Sequence, residues 1–240
     1  MCLNNWGGID HKVLEFHEYV NLFSGKSGSG KSTVMDAIQV ILYGSFSPSF
    51  LNKAADDAKN RRSVLSYLRG EQKDGSANRK DCDFCSVIAL EIEDTGTHII
   101  TCIGIAFEVR KSDSEIKKFV YFSHSGKMPE SEYLTEQGVC YSNQEIKKLV
   151  SARTKSDDNR GKGEVNRIYG SKEAYLGTLY DVILGYIDQN RFITMEKSAI
   201  ALKMTNGTGQ FIRDYMFPKN TSNTIATISE QLDSYRQIKE

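Results

Sequence analysis

The sequence predicts an α/β fold in which helices flank a mixed sheet. Three observations predict it: a glycine-rich loop near the start that joins an apolar segment to a helical pattern, a middle block rich in β-branched and aromatic residues, and helical spacing of apolar residues in the last third. The 240 residues are enough to bury a sizeable core.

Composition narrows the classes of protein that fit. Hydrophobic residues are 39% of the chain and charged residues 26%, proportions typical of a globular protein. The 31 basic residues equal the 31 acidic ones, so any nucleic-acid-binding surface must be local. No apolar run approaches the roughly 18 residues of a membrane span, and the first residues lack the pattern of a secretory signal. We therefore expect a cytoplasmic protein whose five cysteines are reduced.

The glycine-rich loop has the spacing of a phosphate-binding P-loop, G-x-x-x-x-G-K-[ST], at every fixed position. We expect residues 20–23 to form the strand that enters the loop. A helix should follow as far as about Tyr43, with Gly44 after its last turn. Glycines let successive backbone N–H groups turn toward one anion, and the helix N-terminus adds partial positive charge. The candidate nucleotide-binding residues are Gly25, Lys26, Ser27, Gly28, Ser29, Gly30, Lys31, Ser32 and Thr33.

Three side chains at the end of the loop have distinct expected roles. Lys31 is the candidate catalytic residue, because its ammonium group would reach the β- and γ-phosphates of a nucleotide. The Ser32 hydroxyl would ligate Mg²⁺, and Thr33 would contact the α-phosphate. The sequence therefore predicts a site that takes ATP and Mg²⁺ as cofactors.

The middle of the chain changes from a β-rich block to a helical one. Residues 87–92, 97–109 and 119–122 predict two or three antiparallel strands, with a turn at residues 94–96. A helical pattern begins near residue 143. These elements would form the sheet and one of its flanking helices.

Toward the end of the chain the apolar spacing stays helical. Helices are predicted over residues 175–186 and 191–204. After Pro218, positions alternating by three and four form an a/d seam, which is typical of a coiled coil. Its members are Ile225, Ile228, Leu232 and Tyr235. We therefore predict a P-loop domain over residues 1–219 and the start of a coiled-coil arm over residues 220–240.

Several other residues have both a structural and a functional interpretation. Cys82 and Cys85 form a C-x-x-C pair, but no second pair stands at zinc-site spacing, which favours two reduced thiols. Trp6 is either a core anchor or a neighbour of the nucleotide base or ribose. Arg61 and Arg62 are either a solvated basic pair or phosphate contacts.

The stretch from Tyr141 to Lys172 carries a local excess of positive charge. It contains eight basic residues and four acidic ones. A surface of this kind contacts DNA through its phosphates, without reading base sequence. A flexible solvated loop accounts for the same composition, so both interpretations stay open.

Four stretches carry a resemblance to a known family: residues 5–8 (Asn-Trp-Gly-Gly), 23–39 around the P-loop, 62–70 and 211–218. Together they resemble the N-terminal half of an SMC-like ATPase head. The similarity is greatest to the MukB-type branch, especially the JetC-type subunit of Wadjet plasmid-defence systems. The resemblance covers nearly the whole chain, and the P-loop is its most specific part.

The resemblance implies a head built from two chain halves separated by a long coiled coil, with the signature and Walker B motifs in the second half. It implies that ATP between two heads drives their engagement, that hydrolysis releases them, and that cycling moves DNA. The implied partners are the C-terminal half of the same head, a second head, kleisin-type and other SMC-complex subunits, and double-stranded DNA. The implied setting is the nucleoid, in plasmid defence or chromosome condensation.

The chain departs from that family pattern because it contains no Leu-Ser-Gly-Gly signature. Residues 87–91 and 182–188 match a Walker B motif superficially, but the first run alternates like a hairpin strand and the second lies in a helical pattern. Without that carboxylate no group positions the attacking water, so we expect ATPase activity only after completion by a C-terminal half. Two other classes stay open: a small self-contained P-loop kinase and a non-catalytic ATP-binding regulatory module.

Overall fold

The structure is a computed structural model that describes residues 1–26, 28–48, 51, 62–72, 74–157 and 165–200. The chain divides into two compact units, Met1–Asp188 and Gln189–Glu240. The described residues belong to the first unit, except for one helix of the second. The predicted boundary between residues 219 and 220, the a/d seam and the coiled-coil arm all lie outside the described residues.

The described part of the first unit contains six strands and five helical segments. Its strands are β1 (Cys2–Trp6), β2 (Ile9–Val13), β3 (Phe84–Glu93), β4 (Ile100–Val109), β5 (Lys118–Ser125) and β6 (Arg167–Tyr169). Its helices are α1 (Lys31–Tyr43), α2 (Val64–Arg69), α3 (Asn143–Asp157), α4 (Lys172–Gly177) and a π-helix (Thr178–Ile183) that continues from α4. The described helix of the second unit is α5 (Gln189–Ile200).

The strands form one sheet in the order β2-β1-β3-β4-β5-β6. All neighbouring strands pair antiparallel. The predicted α/β fold with helices against a sheet is confirmed, whereas the sheet is antiparallel rather than mixed in the part of the chain that the structure describes. The short connections between β3, β4 and β5 favour antiparallel pairing of these three strands, since parallel neighbours need a crossover of a dozen or more residues.

The central strands are covered on both faces. Directly opposed residues share a face, so Ile88, Ile105 and Tyr121 point to one side of the sheet. The Tyr121 hydroxyl reaches Gly44 at the end of α1, so α1 lies on that side. On the opposite side the core cluster joins the sheet to α3 through Val87, Ala89, Ala106, Phe122, Ile146 and Val150. Burial on both faces explains why β4 is apolar along most of its length.

Most of the predicted helices and strands are confirmed. α1 ends at Tyr43, and Gly44 takes a left-handed conformation with φ of 52°, as a glycine cap does. The β-rich block forms β3, β4 and β5, and the turn at residues 94–96 is closed by the Asp94 carboxylate, which accepts from the Gly96 N–H at 2.8 Å. α3 begins at Asn143 as predicted. The helix predicted over residues 175–186 is instead α4 followed by the π-helix.

The predicted strand at residues 20–23 is wrong. These residues have no regular secondary structure as they enter the P-loop. Val20 and Leu22 are 77% and 89% exposed. Within the described ranges no strand is hydrogen-bonded beside them. Their composition favours a strand, but a strand forms only where a neighbour pairs its backbone groups.

The sheet also contains a buried histidine whose hydrogen bonds are satisfied. The His124 ring donates from Nδ1 to the Ser125 carbonyl oxygen at 3.1 Å, and Nε2 accepts from the Tyr133 hydroxyl at 2.9 Å. Burial lowers the pKa of His124 to about 4, so the ring is neutral at pH 7. The neutral tautomer matches both partners, so the polar ring fits inside the core.

Candidate nucleotide-binding site

The P-loop lies directly before α1. Gly28 and Gly30 have φ angles of 85° and 87°, left-handed values that glycine adopts without a steric penalty. A Cβ on Gly25 would lie 2.6 Å from the Ser29 hydroxyl oxygen, so a side chain there would displace Ser29. The Gly30 carbonyl oxygen accepts from the Val34 N–H at 3.1 Å and begins the helix. The loop therefore has the tight turns that let backbone N–H groups converge on a phosphate.

The Lys31 ammonium group folds back over the loop. It donates to the carbonyl oxygens of Gly25 at 2.6 Å and Lys26 at 2.9 Å. A third hydrogen bond, of 3.2 Å, reaches the Ser29 hydroxyl. These contacts hold the positive charge above the loop, where the β- and γ-phosphates of a nucleotide would become its partners. The assignment of Lys31 as the catalytic residue stays a prediction.

Ser32 and Thr33 form the first turn of α1. Ser32 is exposed, so its hydroxyl can ligate an Mg²⁺ ion that arrives with a nucleotide. Thr33 packs under Gly7, where an added Cβ would lie 2.5 Å from Thr33 Cγ2. Among the described residues no three His, Cys, Asp or Glu side chains are grouped to hold a metal ion by themselves. An Mg²⁺ ion that arrives with a nucleotide would be held by Ser32 together with the phosphates. Ser27 of the predicted loop lies outside the described residues.

An aromatic pair fixes the first turn of α1. Trp6, at the end of β1, is fully buried and stacks on Tyr67 of α2, with ring centroids 5.0 Å apart and planes 9° apart. The indole N–H of Trp6 donates to the Thr33 carbonyl oxygen at 2.8 Å. The Tyr67 hydroxyl donates to the buried carboxylate of Asp36. Burial, followed by the Asp36 charge, raises the pKa of Tyr67, so the hydroxyl remains a donor.

Arg79 fastens the turn between β1 and β2 to α2. Its side chain is 8% exposed, and it donates to a backbone carbonyl of α2 at 2.9 Å and to the Gly7 carbonyl oxygen. A further bond of 2.7 Å reaches the Asp10 carboxylate. The Gly7 N–H in turn donates to the Tyr67 carbonyl oxygen at 2.7 Å. Trp6 and Gly7 therefore connect the sheet to both α2 and the P-loop helix α1.

The structure decides between the two interpretations of Trp6. Because Trp6 is fully buried, it is a core anchor, and the alternative in which it packs beside the nucleotide base is wrong. The Arg62 guanidinium lies 5.6 Å from the centre of the Tyr67 ring, which puts it beside the aromatic pair. Arg61 lies outside the described residues. From the sequence alone no role could be assigned to Tyr67 or Arg79, because neither residue is part of a recognisable functional motif.

Neither Walker B candidate lies at the end of a buried strand. Trp6 binds the first turn of α1, and β1 runs beside β3 so that Trp6 lies toward the Phe84 end. Glu91 lies seven residues further along β3 than Phe84, roughly 23 Å at the rise of a strand. Its carboxylate accepts from the Met128 N–H at 2.6 Å. Asp188 is exposed and follows the π-helix rather than a buried strand.

The C-x-x-C pair has the character of ordinary thiols. Cys82 is exposed, Cys85 is half-buried, and both are free. Burial, with a smaller contribution from Glu108, raises the pKa of Cys85 to about 11. A reactive or metal-ligating thiolate requires a lowered pKa, so the environment of Cys85 favours the reduced-thiol interpretation.

The basic stretch is described only in part. Arg153 is half-buried and donates to the Lys127 carbonyl oxygen at 3.3 Å, so its charge faces the protein. Residues 158–164 lie outside the described ranges. The exposed lysines of α3 are Lys147, Lys148 and Lys155. The available positive charge of this stretch therefore includes the outer face of α3.

Comparison with known families agrees with the geometry of the loop. A family model for the P-loop containing region of AAA domains matches residues 1–58, about a quarter of the chain. The match spans β1, β2, the P-loop and α1. No curated protein matches the chain. The chain thus contains a P-loop nucleotide-binding region of the AAA type. In the described part of the chain, no helix has the length and apolar character of a membrane span.

Proposed function

We propose that this chain is the ATP-binding N-terminal half of an SMC-like head, and that the completed head is an ATPase. In this proposal it acts in an ATP-driven complex that moves or condenses DNA, in chromosome organisation or plasmid defence. The observation that supports it most is the entry segment, residues 16–23, which leads into the P-loop. The sequence of residues 20–23 suits a strand, yet no strand pairs with them in the described part of the chain.

The entry segment exposes a cluster of large apolar side chains. The exposed fractions are 40% for Phe16, 79% for Tyr19, 77% for Val20 and 89% for Leu22. Single exposed apolar residues are ordinary, but a contiguous group of them marks a surface that binds another polypeptide. Strands of a second segment, laid beside residues 20–23, would cover these side chains and satisfy the backbone groups.

In this proposal the same second segment would supply the group that positions the attacking water. Hydrolysis at a P-loop needs a group that positions the attacking water. Of the two sequence candidates, Glu91 binds the Met128 N–H far along β3, and Asp188 is exposed and follows no strand. A self-contained kinase would carry its own acidic group beside the loop. One C-terminal half-head, bearing the signature and Walker B motifs, would complete both the sheet and the site, and this supports a split head over the kinase alternative.

The entry segment provides a test of this proposal. The double substitution Val20→Lys and Leu22→Lys puts two charges on side chains that are exposed in this chain. We expect the melting temperature of the isolated chain to change little. We expect loss of ATPase activity when the chain is mixed with the polypeptide that is encoded downstream or beside it and carries the signature and Walker B motifs.

A matched control separates this effect from a general loss of solubility. Val139 is apolar and 59% exposed, but lies in the connection between β5 and α3. Val139→Lys should leave both the melting temperature and the reconstituted ATPase activity unchanged. Full ATPase activity of the Val20→Lys/Leu22→Lys chain after reconstitution, or Lys31-dependent hydrolysis by the isolated chain, would contradict the split-head proposal.

The partners derive from the same proposal. They are the C-terminal half of the head, a second head, kleisin-type and other subunits of an SMC complex, and double-stranded DNA in the nucleoid. The exposed lysines of α3 support a DNA contact, because phosphate binding requires accessible positive charge. Arg62, beside the aromatic pair, is a second candidate for a phosphate contact.

A further inference from the structure

Three tyrosine hydroxyls bind the C-terminal end of the P-loop helix. Tyr175 donates to the Ile41 carbonyl oxygen at 3.0 Å. Tyr180 donates to the Leu42 carbonyl oxygen at 3.0 Å, and Tyr121 donates to that of the glycine cap at 2.6 Å. The last carbonyl groups of a helix have no partner within the helix, so these bonds satisfy them. We call Tyr121, Tyr175 and Tyr180 the tyrosine clamp.

The tyrosine clamp is buried and closely packed. Tyr175 is fully buried, and its ring stacks on that of Tyr121 with centroids 4.6 Å apart. A Cβ on Gly44 would lie 3.2 Å from the Tyr175 ring, so the backbone of the cap approaches the clamp closely. Burial raises the pKa of Tyr121 and of Tyr180 to about 12, and the hydroxyls therefore remain donors at neutral pH.

The clamp connects two regions that are distant in the chain. Tyr175 belongs to α4 and Tyr180 to the π-helix, which form one continuous run at residues 172–183. α1 has 13 residues and is therefore about 20 Å long. Its N-terminal end forms the P-loop site and its C-terminal end holds this run. A displacement of α1 at its P-loop end would therefore also displace its C-terminal end, where the tyrosine clamp binds.

The π-helix is suited to respond to such a shift. It is closed by a bond from the Leu184 N–H to the Leu179 carbonyl oxygen at 2.8 Å, five residues apart. A π-turn closes over one residue more than an α-turn, so conversion of this segment to α-turns would change its hydrogen-bonding pattern in one discrete step. Coupling between distant sites requires an element with two arrangements that both sites bias. Directly beyond it, Tyr186 is 85% exposed, so a change in the π-helix would reach the surface.

We propose that the tyrosine clamp couples nucleotide binding at the P-loop to the conformation of residues 178–187, through α1 as a rigid rod. Residues 178–187 are then a nucleotide-sensitive surface of the domain, and this inference rests on the proposed binding of ATP at the P-loop. Linkage requires the reverse effect as well: a partner that fixes residues 178–187 changes the affinity for ATP by the same factor.

Hydrogen exchange of the full chain tests the coupling. We expect ATP·Mg²⁺ to change the exchange rates of amides in residues 178–187 of the wild type by about fivefold or more, the lower end of common coupling strengths. The double substitution Tyr175→Phe and Tyr180→Phe keeps both rings and removes only the hydroxyl donors. In this variant the ATP-dependent change should fall to about twofold or less, while ATP·Mg²⁺ still raises the melting temperature.

Tyr169→Phe is the matched control. Tyr169 is buried as well, but its hydroxyl lies 2.6 Å from the Ser123 hydroxyl and not at α1. This variant should keep the wild-type response. If the double variant does not fold, Tyr180→Phe alone should give a smaller loss in the same direction. An unchanged response in the Phe variants, or no response in a wild type that binds ATP, overturns the clamp proposal. A wild type that ATP·Mg²⁺ does not stabilise overturns the proposed function instead.

Discussion

The central sheet and the entry segment have similar apolar composition but opposite environments. Ile105 in β4 is fully buried, with paired strands on both sides and helices over both faces. Leu22 in the entry segment is 89% exposed, with no strand beside it in the described part of the chain. The difference teaches that the described part of the chain buries the core of its sheet by itself, and it supports our proposal that a partner covers the strand side of the nucleotide site.

The P-loop itself lies between these two environments. On its helix side, α1 is fixed at the first turn by Trp6 and Tyr67 and at the last turn by the tyrosine clamp. On its strand side, Val20 and Leu22 are exposed, and no strand of the described part of the chain pairs with residues 20–23. We therefore expect the P-loop, supported by α1, to bind nucleotide by itself. We expect the site to be complete only when its strand side, residues 20–23, is covered.

The largest expected effect is in the core. Ile105→Ala removes a fully buried side chain from the face of the sheet that α1 covers, and we expect it to lower the free energy of unfolding by about 2–5 kcal/mol. Leu22→Ala should change it by less than about 0.5 kcal/mol, as an exposed substitution does. Urea denaturation followed by circular dichroism measures both. Equal losses would mean that the entry segment is packed in solution and that the contrast between the two regions does not hold.

The next effect concerns the nucleotide. At a concentration of ATP·Mg²⁺ one hundred times its dissociation constant, binding should stabilise the fold by about 2.7 kcal/mol. Lys31→Ala should abolish this gain, because it removes the positive partner of the β- and γ-phosphates. Thermal melting with and without ATP·Mg²⁺ measures it, and Lys12→Ala, an exposed lysine of β2, should keep the full shift. The same shift in Lys31→Ala and wild type would show that ATP does not bind at the P-loop.

The smallest effect is expected for DNA. The few exposed lysines should give weak binding that does not depend on base sequence, with a dissociation constant of about 10⁻⁴–10⁻⁶ M at physiological salt. Lys147→Glu with Lys148→Glu should weaken it severalfold and reduce the salt slope by about 2, one for each phosphate contact. Lys12→Glu with Lys80→Glu changes the net charge equally at other exposed sites and should matter less. Fluorescence anisotropy across a salt series separates the pairs; identical slopes in both would place the DNA contact elsewhere.

Local patterns predicted most elements of the first unit. The P-loop helix with its glycine cap, the three central strands and the start of α3 all follow from residue spacing. These elements carry their own signal, since a helix or a hairpin satisfies most of its backbone groups from nearby residues. The prediction of a strand at residues 20–23 was wrong because its backbone partners would have to come from another segment.

By itself the sequence determined the phosphate-binding loop, because a fixed spacing of glycines, a lysine and a hydroxyl is sufficient to define that chemistry. Only the tertiary structure decided which residues support it. The sequence left open whether Trp6 contacts a nucleotide, but in the structure Trp6 is buried and its indole N–H donates to the Thr33 carbonyl oxygen. The tyrosine clamp joins residues more than 75 positions apart in the chain. Such contacts arise from the packing of separate elements, and no local pattern of side chains records them.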